Sequence, residues 1–441
     1  MARFQNLGDW LAWLETAHPK PIELGLDRVS AVYARLGRSA HAPWPVITVA
    51  GTNGKGSTVA LLESTYRCAG YSTAAYTSPH LLRFNERIRV NAEPVGDETI
   101  VAALARVDAA RGDVSLSYFE FTTLAALEIF HQRVPDVVLL EVGLGGRLDA
   151  VNIVDADVAV ITSIGLDHTE WLGADRDHIG AEKAGIARAH RPVIVGDRDP
   201  PAGLMHALHA VDARIFRIGH EFDARVRAAG WDWHGLVRVR SGLPPPALVG
   251  ARQIDNAAVA LAAIEQLAGR LPVSQQAARE GMLEVSLPGR FQSLPGRGTF
   301  IVDVCHNPQA AATLAQTLAK QPVSGRQIAL FAALADKDIA GIGAELAQVF
   351  DEWHIVALPG PRAAPVESIR DDLKRGGVRA SMHTHAEAPV TVARELRERA
   401  APGDRIVAFG SFLVAAGLLD PSGGLVSGYL AAGTAPQLPE Q

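Results

Sequence analysis

Lys55 and Ser57 stand two residues apart in TVAGTNGKGST (48–58), among Gly51, Gly54 and Gly56. Glycines let a backbone approach anionic oxygens closely, a lysine adds positive charge, and a serine hydroxyl suits Mg²⁺. The chemistry this mixture suggests is polyphosphate binding. The spacing departs from the common P-loop, because Gly56 separates lysine from hydroxyl and the first glycine lies nearer the lysine. The plainer alternative is a glycine-rich strand-to-helix turn. Three other residues could join a metal–phosphate site. Glu141 ends the apolar run of DVVLLEVGLGG, and His168, with Asp167 beside it, follows the run of DVAVITSIGLDH. Ser78 lies in TSPHL after another strand-like run. Their ordinary alternatives are a helix-capping glutamate, a surface histidine and a turn serine.

These side chains need elements to hold them. VITVA (46–50) is β-branched and apolar, and VALLESTYRCAGY (59–71) has helix-forming composition. A turn between a buried strand and a helix start exposes backbone N–H groups at the positive end of the helix dipole, which favours an anion. The same alternation continues. YSTAAYTSP, DVVLLEVGLGG, DVAVITSIGLDH and RPVIVG read as strands, and DETIVAALARVDAAR and FEFTTLAALEIFHQR as helices. Strands alternating with helices predict a parallel sheet covered on both faces, and ligands gather at its carboxyl strand ends.

Residues 220–255 change rhythm and predict short antiparallel strands as an excursion from the main sheet. The helical NAAVALAAIEQLAG follows, and SLPGRFQSLPGRG (286–298) reads as a linker. A second α/β rhythm then runs through TFIVDVC, PQAAATLAQTLAKQ, QIALFAAL, EWHIVAL and RIVAFG. The expected fold class is α/β: a P-loop parallel-sheet ATPase domain over 1–290, followed by a smaller Rossmann-like α/β domain over 297–420. A flexible tail is expected over 421–441.

The bulk composition agrees. A chain of 441 residues exceeds the usual single-core limit, and 48% hydrophobic content can fill two cores. The net charge of −6, without a long lysine/arginine block, argues against nucleic acid as a partner. Cys68 and Cys305 are the only cysteines, which suits a reducing cytosol. The amino-terminal MARFQNLGDWLAWLETAHPK reads as a short amphipathic helix rather than a signal peptide, and no apolar run is long enough to span a bilayer. A cytoplasmic protein without membrane partners is expected.

The segments AGTNGKGST, TSPHL, SYFEF, EVGLGGRLDAVN, TSIGLDHTEWLG, EKAGI, LPGRFQ, DVCHNP and ADKDI occur in that order. As a set, from about residue 20 to 415, they resemble the dihydrofolate synthase/folylpolyglutamate synthase family of Mur-like ligases. The resemblance implies an ATP-dependent ligase in which a substrate carboxylate is phosphorylated and the acyl phosphate is attacked by the amino group of L-glutamate. It implies dihydropteroate and reduced folates as acceptors, ATP and Mg²⁺ as cofactors, and a monomer.

Residue by residue, Thr52, Asn53, Gly54, Lys55, Gly56 and Ser57 match the family's ATP-binding turn, and Ser57, Ser78, Glu141 and His168 its Mg²⁺ positions. Lys55, Glu141, His168 and Lys183 are the expected catalytic set. Lys183, in AEKAGI, matches a lysine that relatives carry as a carbamate; unmodified, it would be a salt-bridging lysine. Asn256, Arg290, Asp303 and His306 match nucleotide contacts, with Arg290 in the presumed hinge. Cys305 stands where the family more often has alanine. Pteroate contacts are expected from Glu23, Leu24, Gly25 and Leu26, from Ser117, Tyr118, Phe119 and Glu120, and from Arg147, Leu148 and Asp149. Phe119 would stack on the ring and Glu120 would read its polar edge, whereas Phe121 reads better as core. Asp336, Lys337, Asp338 and Ser411 line up with strand ends without an assigned role. Two rivals remain at this stage: a Mur-type ligase for another carboxylate, or a monofunctional folylpolyglutamate synthase. A nucleotide-driven switch without synthetic chemistry is disfavoured by the long second domain.

Overall fold

A computed structural model of the chain describes residues 3–20, 22–295 and 298–420, together with Ser422 and Leu425. The remainder of the expected tail lies outside the described residues. The chain divides into two compact units. One comprises the residues through Ala247 with Gln253–Ser286; the other comprises Leu248–Arg252 with the chain from Leu287 on.

The first unit is built on β1 (Val46–Ala50), β2 (Thr73–Tyr76), β3 (Ile88–Val90), β4 (Glu93–Pro94), β5 (Val137–Glu141), β6 (Val158–Ile161), β7 (Pro192–Val195) and β8 (Arg214–Arg217). Their order is β4-β3-β2-β5-β1-β6-β7-β8. The run from β2 to β8 is parallel, while β3 and β4 add an antiparallel edge. Every residue of β1, β2, β5, β6 and β7 is buried, which explains their unbroken apolar sequences: both faces carry helices. Val138 and Leu140 point into a core shared with helix Tyr118–Arg133, and helix Lys55–Cys68 packs on β1, β2 and β5. That second helix buries ten consecutive residues, Ser57–Tyr66, because helices Gln253–Gln266 and Gln275–Glu284 close over its far side. Gly281 permits the close approach, since a Cβ there would lie 2.6 Å from the Thr65 Cα. The amino-terminal helix Leu7–Leu14 buries Trp10 and Leu14, with Trp10 and Trp13 packed on Phe121.

Residues 223–243 form a separate antiparallel sheet of β9 (Asp223–Arg227), β10 (Gly230–His234) and β11 (Val239–Leu243). The second unit holds β12 (Gln292–Leu294), β13 (Thr299–Val302), β14 (Gln327–Phe331), β15 (Glu352–Val356), β16 (Ser381–His385) and β17 (Arg405–Phe409), ordered β12-β13-β17-β14-β15-β16. All pairs but the antiparallel β12–β13 are parallel.

Three features depart from the sequence reading. The expected linker contains β12, held to β13 with Leu294 buried. The helix after the glycine turn starts at Lys55, so Lys55, Gly56 and Ser57 form its first turn. Strand β16 is polar and half-exposed, and gave no strand signal because it lies at the sheet edge.

Candidate functional site

Four adjacent strands, β2-β5-β1-β6, deliver the candidate residues of the first unit to one end of the sheet. Val49 on β1 is in register with Glu141 on β5, and Ala50 with Ile161 on β6. Each strand then turns. Ser78 follows β2, Glu141 closes β5, the glycine turn follows β1, and 162–168 follow β6. The Ser78 backbone N–H donates to Glu141 Oε2 at 3.2 Å, so these sequence-distant residues meet. Glu141 is 5% exposed, a buried carboxylate at a strand end.

The glycine turn is shaped by contacts that tolerate no side chain. Gly51 has φ +146°, and a Cβ there would lie 1.8 Å from Thr162 Oγ1. Gly54 is the N-cap of helix Lys55–Cys68 with φ 89° and ψ −9°, and no side chain caps that helix. Its Cβ would lie 2.8 Å from Asn256 Oδ1. The turn is laced to the loop after β6. Thr52 N–H donates to Ser163 O at 2.6 Å, the Thr52 hydroxyl donates to Gly165 O at 3.0 Å, and Thr162 Oγ1 donates to Asn53 O at 2.7 Å. Lys55 Nζ folds back onto Gly51 O (3.0 Å) and Thr52 O (3.1 Å), poised over the turn. Asn256 donates to Gln253 Oε1 at 3.0 Å, and Gln253 Nε2 reaches Ser57 Oγ at 3.5 Å. Thr162, Ser163 and Gln253 were not singled out in the sequence. Only their partners across 110 and 196 residues reveal them.

Lys183 is buried, and desolvation, reinforced by the Lys55 charge and opposed by Asp167 and Asp149, lowers its amine to about 7. His168 sits at φ 52° with its side chain 44% exposed, and its backbone N–H donates to Asp167 Oδ1 at 3.0 Å. The candidate donor set of Ser57, Ser78, Glu141 and His168 is mostly hard oxygen and includes a buried carboxylate, a chemistry that fits Mg²⁺ or Mn²⁺.

The segments expected at pteroate also converge. Arg28 donates to Glu120 Oε1 at 3.0 Å and to Glu23 O at 3.1 Å, and its Nη1 lies 3.4 Å from Glu23 Oε1. His18 Nε2 meets Glu23 Oε2 at 2.7 Å. Leu24, Gly25, Leu26, Tyr118 and Leu148 are half-buried nearby in sequence to these contacts. Ser117 and Glu120 form a capping box on helix Tyr118–Arg133: Ser117 N–H donates to Glu120 Oε2 at 2.7 Å. The buried Glu120 carboxylate thus accepts from the protein on both oxygens. Asp149 is likewise committed, to Leu144 N–H at 2.8 Å and Val151 N–H at 3.1 Å, and burial raises its carboxyl to about 6. Phe119 is half-buried against Tyr76 (centroids 5.8 Å apart) and over Gly143, whose absent Cβ would lie 2.7 Å from the ring. Phe121 is 1% exposed, as core. Arg147 is exposed and paired with Glu182 at 2.7 Å.

In the second unit, Asp303 directly follows β13 and accepts from Phe291 N–H (2.8 Å) and Cys305 N–H (2.7 Å). Burial pushes its carboxyl up, against the Arg290 charge and those two donors. Arg290 stands 5.7 Å over the Phe412 ring and His306 5.8 Å from it, so Phe412, unflagged in the sequence, links both nucleotide candidates. Asn307, Asp338 and Ser411 accept backbone N–H groups as helix N-caps, and Asp336 pairs with Lys337 and Arg362.

Comparison with known proteins gives consistent matches. The Mur ligase middle domain family matches residues 49–264, and the Mur ligase glutamate ligase domain family residues 289–412. The chain is 48% identical over 373 residues to the dihydrofolate synthase/folylpolyglutamate synthase of Escherichia coli K12, covering 84% of this chain and 86% of that one. It superposes on E. coli FolC in complex with DHPP and ADP with a TM-score of 0.89 at 42% identity, over 98% and 99% of the two chains. A bifunctional folylpolyglutamate synthase/dihydrofolate synthase with Mn, AMPPNP and L-glutamate bound gives 0.85 at 42% identity, over 93% and 97%.

Proposed function

The chain belongs to the dihydrofolate synthase/folylpolyglutamate synthase family, and from that premise we propose which of its residues carry the reaction. The protein is an ATP-dependent ligase that joins L-glutamate to dihydropteroate and further glutamates to reduced folates, releasing ADP and phosphate. The observation that carries the residue assignment is the shared strand end. Val49, on the strand that leads into the uncapped helix start, is in register with the buried Glu141 on the neighbouring strand.

The N–H groups of the Thr52–Ser57 turn cradle the triphosphate, and Asn256 fixes the turn from behind Gly54. Lys55 exchanges its two carbonyl contacts for the γ-phosphate and stabilises charge as that phosphoryl group passes to the acceptor carboxylate. Ser57, Ser78, Glu141 and His168 would hold Mg²⁺, which would neutralise phosphate charge. ADP departs. The neutral amino group of L-glutamate then attacks the acyl carbon, the C–O bond to phosphate breaks, and the amine loses a proton as the amide forms. The acyl phosphate must be kept from water until then. Lys183, with an amine lowered to about 7, is a neutral nucleophile in large part at neutral pH and can add CO₂ with loss of a proton, which would give an anionic carbamate able to face metal. Phe119 stacks on the pterin. Arg28, Glu120, Ser117 and Asp149 position that pocket through the contacts above. Glu23–Leu26 and Arg147–Leu148 line it; Arg290, at the end of the ATP-binding domain (1–290), and Asp303 and His306, of the carboxy-terminal domain (297–420), are assigned to the nucleotide.

Among the described residues no helix is long and apolar enough to cross a membrane, and both cysteines are free. We place the protein in the cytoplasm as a monomer without nucleic-acid partners; light scattering of the purified chain tests the monomer. The central test is ADP release with dihydropteroate, then tetrahydrofolate, each with and without L-glutamate. Lys55→Ala is expected to abolish glutamate-dependent release on both acceptors. Retained turnover in that variant would overturn the assignment.

A further inference from the structure

The half-exposed edge of the second sheet carries a cluster that the ligase chemistry does not use. Glu352 and His354 alternate along β15, and His383 and His385 along β16, so the parallel pairing His354↔His383 places all four side chains on one face. Glu352 Oε1 lies 2.9 Å from His354 Nε2 and 3.3 Å from His383 Nε2. The three potential ligand atoms lie within 4.8 Å of one another. Ligands 2.0–2.1 Å from a tetrahedral Zn²⁺ are about 3.3 Å apart, so this spacing needs little adjustment. The other carboxylate oxygen, Oε2, is paired with Arg326 at 3.2 Å, which leaves Oε1 to the histidines. His354 is 9% exposed on its side chain, Glu352 20% and His383 51%, so the cluster is anchored on one side and open on the other.

We propose that Glu352, His354 and His383 form a binding site for a borderline divalent cation, Zn²⁺ in the first instance, with water in the fourth position. Two imidazoles and one carboxylate select Zn²⁺ over Mg²⁺, which takes oxygen ligands. The fourth histidine has a defined part. His354 Nδ1 and His385 Nε2 lie 2.9 Å apart, and the two rings stack at 5.1 Å. With the metal on His354 Nε2, the His354 proton sits on Nδ1 and is donated to His385 Nε2. His385 then orients the ligand from behind. Without metal, the opposite tautomers, His385 Nε2–H to His354 Nδ1 and His354 Nε2–H to Glu352, satisfy the same contacts. Each neutral ring keeps one proton in both states, so only the tautomers change. The metal ties edge strand β16 to β15. The sheet order places β16 four strands from β13, about 19 Å from the strand that leads into Asp303.

The test uses the full, untagged chain with Zn²⁺ alone as probe, in excess Mg²⁺, by calorimetry or competition with a chromophoric chelator. One Zn²⁺ per chain is expected, weakened at least tenfold in His383→Ala and in Glu352→Gln. In His385→Ala a roughly 10- to 100-fold loss is expected. Zn²⁺ should raise the unfolding temperature of the parent chain and leave His383→Ala unmoved. His383 is the most exposed of the three ligands, so circular dichroism of that variant is expected to match the parent. Equal Zn²⁺ affinity in the parent and His383→Ala, or no saturable binding by the parent, overturns the proposal.

Discussion

Gly54→Ala probes the turn on which the site is built, and its cost can be worked from two terms. Gly54 sits at φ 89°, where an L-residue is strained by about 1–2 kcal/mol. Its new Cβ would also meet Asn256 Oδ1 at 2.8 Å, against an ordinary contact of 3.4 Å or more, so Asn256 must give by ~0.6 Å. Asn256 is held by Gln253, which in turn reaches Ser57, so the displacement arrives at the first helical turn. The variant has two options. If it keeps the native turn, the strain appears as lost stability, a fall in unfolding temperature of roughly 2–8 °C. If the turn relaxes, the N–H groups leave the triphosphate and the same 1–2 kcal/mol appears as a roughly 5- to 30-fold rise in KM for ATP. Thermal unfolding and an ADP-release titration in ATP, run together, must therefore account for the sum. Gly54→Asn separates the terms, because asparagine tolerates the left-handed region yet carries the same Cβ. Unchanged unfolding temperature together with unchanged KM in Gly54→Ala would refute both the conformational argument and the placing of ATP on this turn.

The two neighbouring phenylalanines should part company: Phe119→Ala should raise KM for dihydropteroate with a modest stability loss. Phe121→Ala should cost ~3–5 kcal/mol in denaturant unfolding and leave KM within about twofold, since that ring is core. If Lys183 becomes a carbamate, turnover should fall in CO₂-depleted buffer and return with bicarbonate, and Lys183→Arg should show neither effect; a parent enzyme indifferent to bicarbonate would exclude the modification. Asp149 binds its proton more tightly folded (about 6) than in its ordinary state (3.8), so the folded chain holds more protons between those values and stability must fall as pH rises through that window. The term is roughly 3 kcal/mol, and Asp149→Asn should remove that slope from a stability–pH profile while lowering stability overall.

The glycine turn and the buried strands were legible because their signals are local. Glycine, lysine and serine within seven residues announce an anion site, and apolar runs such as VVLLE announce strands with helices on both faces. Strands β12 and β16 were not legible, since QSL and SMHTH contain no apolar run, and only pairing to β13 and β15 makes them strands. Phe412 and Gln253 were missed for the same reason: an isolated aromatic or amide carries no sign of what it will touch.

Glu120 and Asp149 show a subtler limit. Their residue type and position suggested carboxylates turned toward a ligand, and both do lie beside the expected pocket. A tight turn, however, leaves N–H groups that have no backbone acceptor, and burying one unpaired costs about 1–3 kcal/mol. The Ser117, Leu144 and Val151 N–H groups claim these carboxylates first. Arg28 takes the remaining Glu120 oxygen from 92 residues away. A carboxylate in a glycine-rich loop is therefore contested between the loop's own donors and the substrate. Glu141 instead ends a regular strand whose own N–H groups are satisfied by the sheet, and it accepts the Ser78 N–H from the loop after β2.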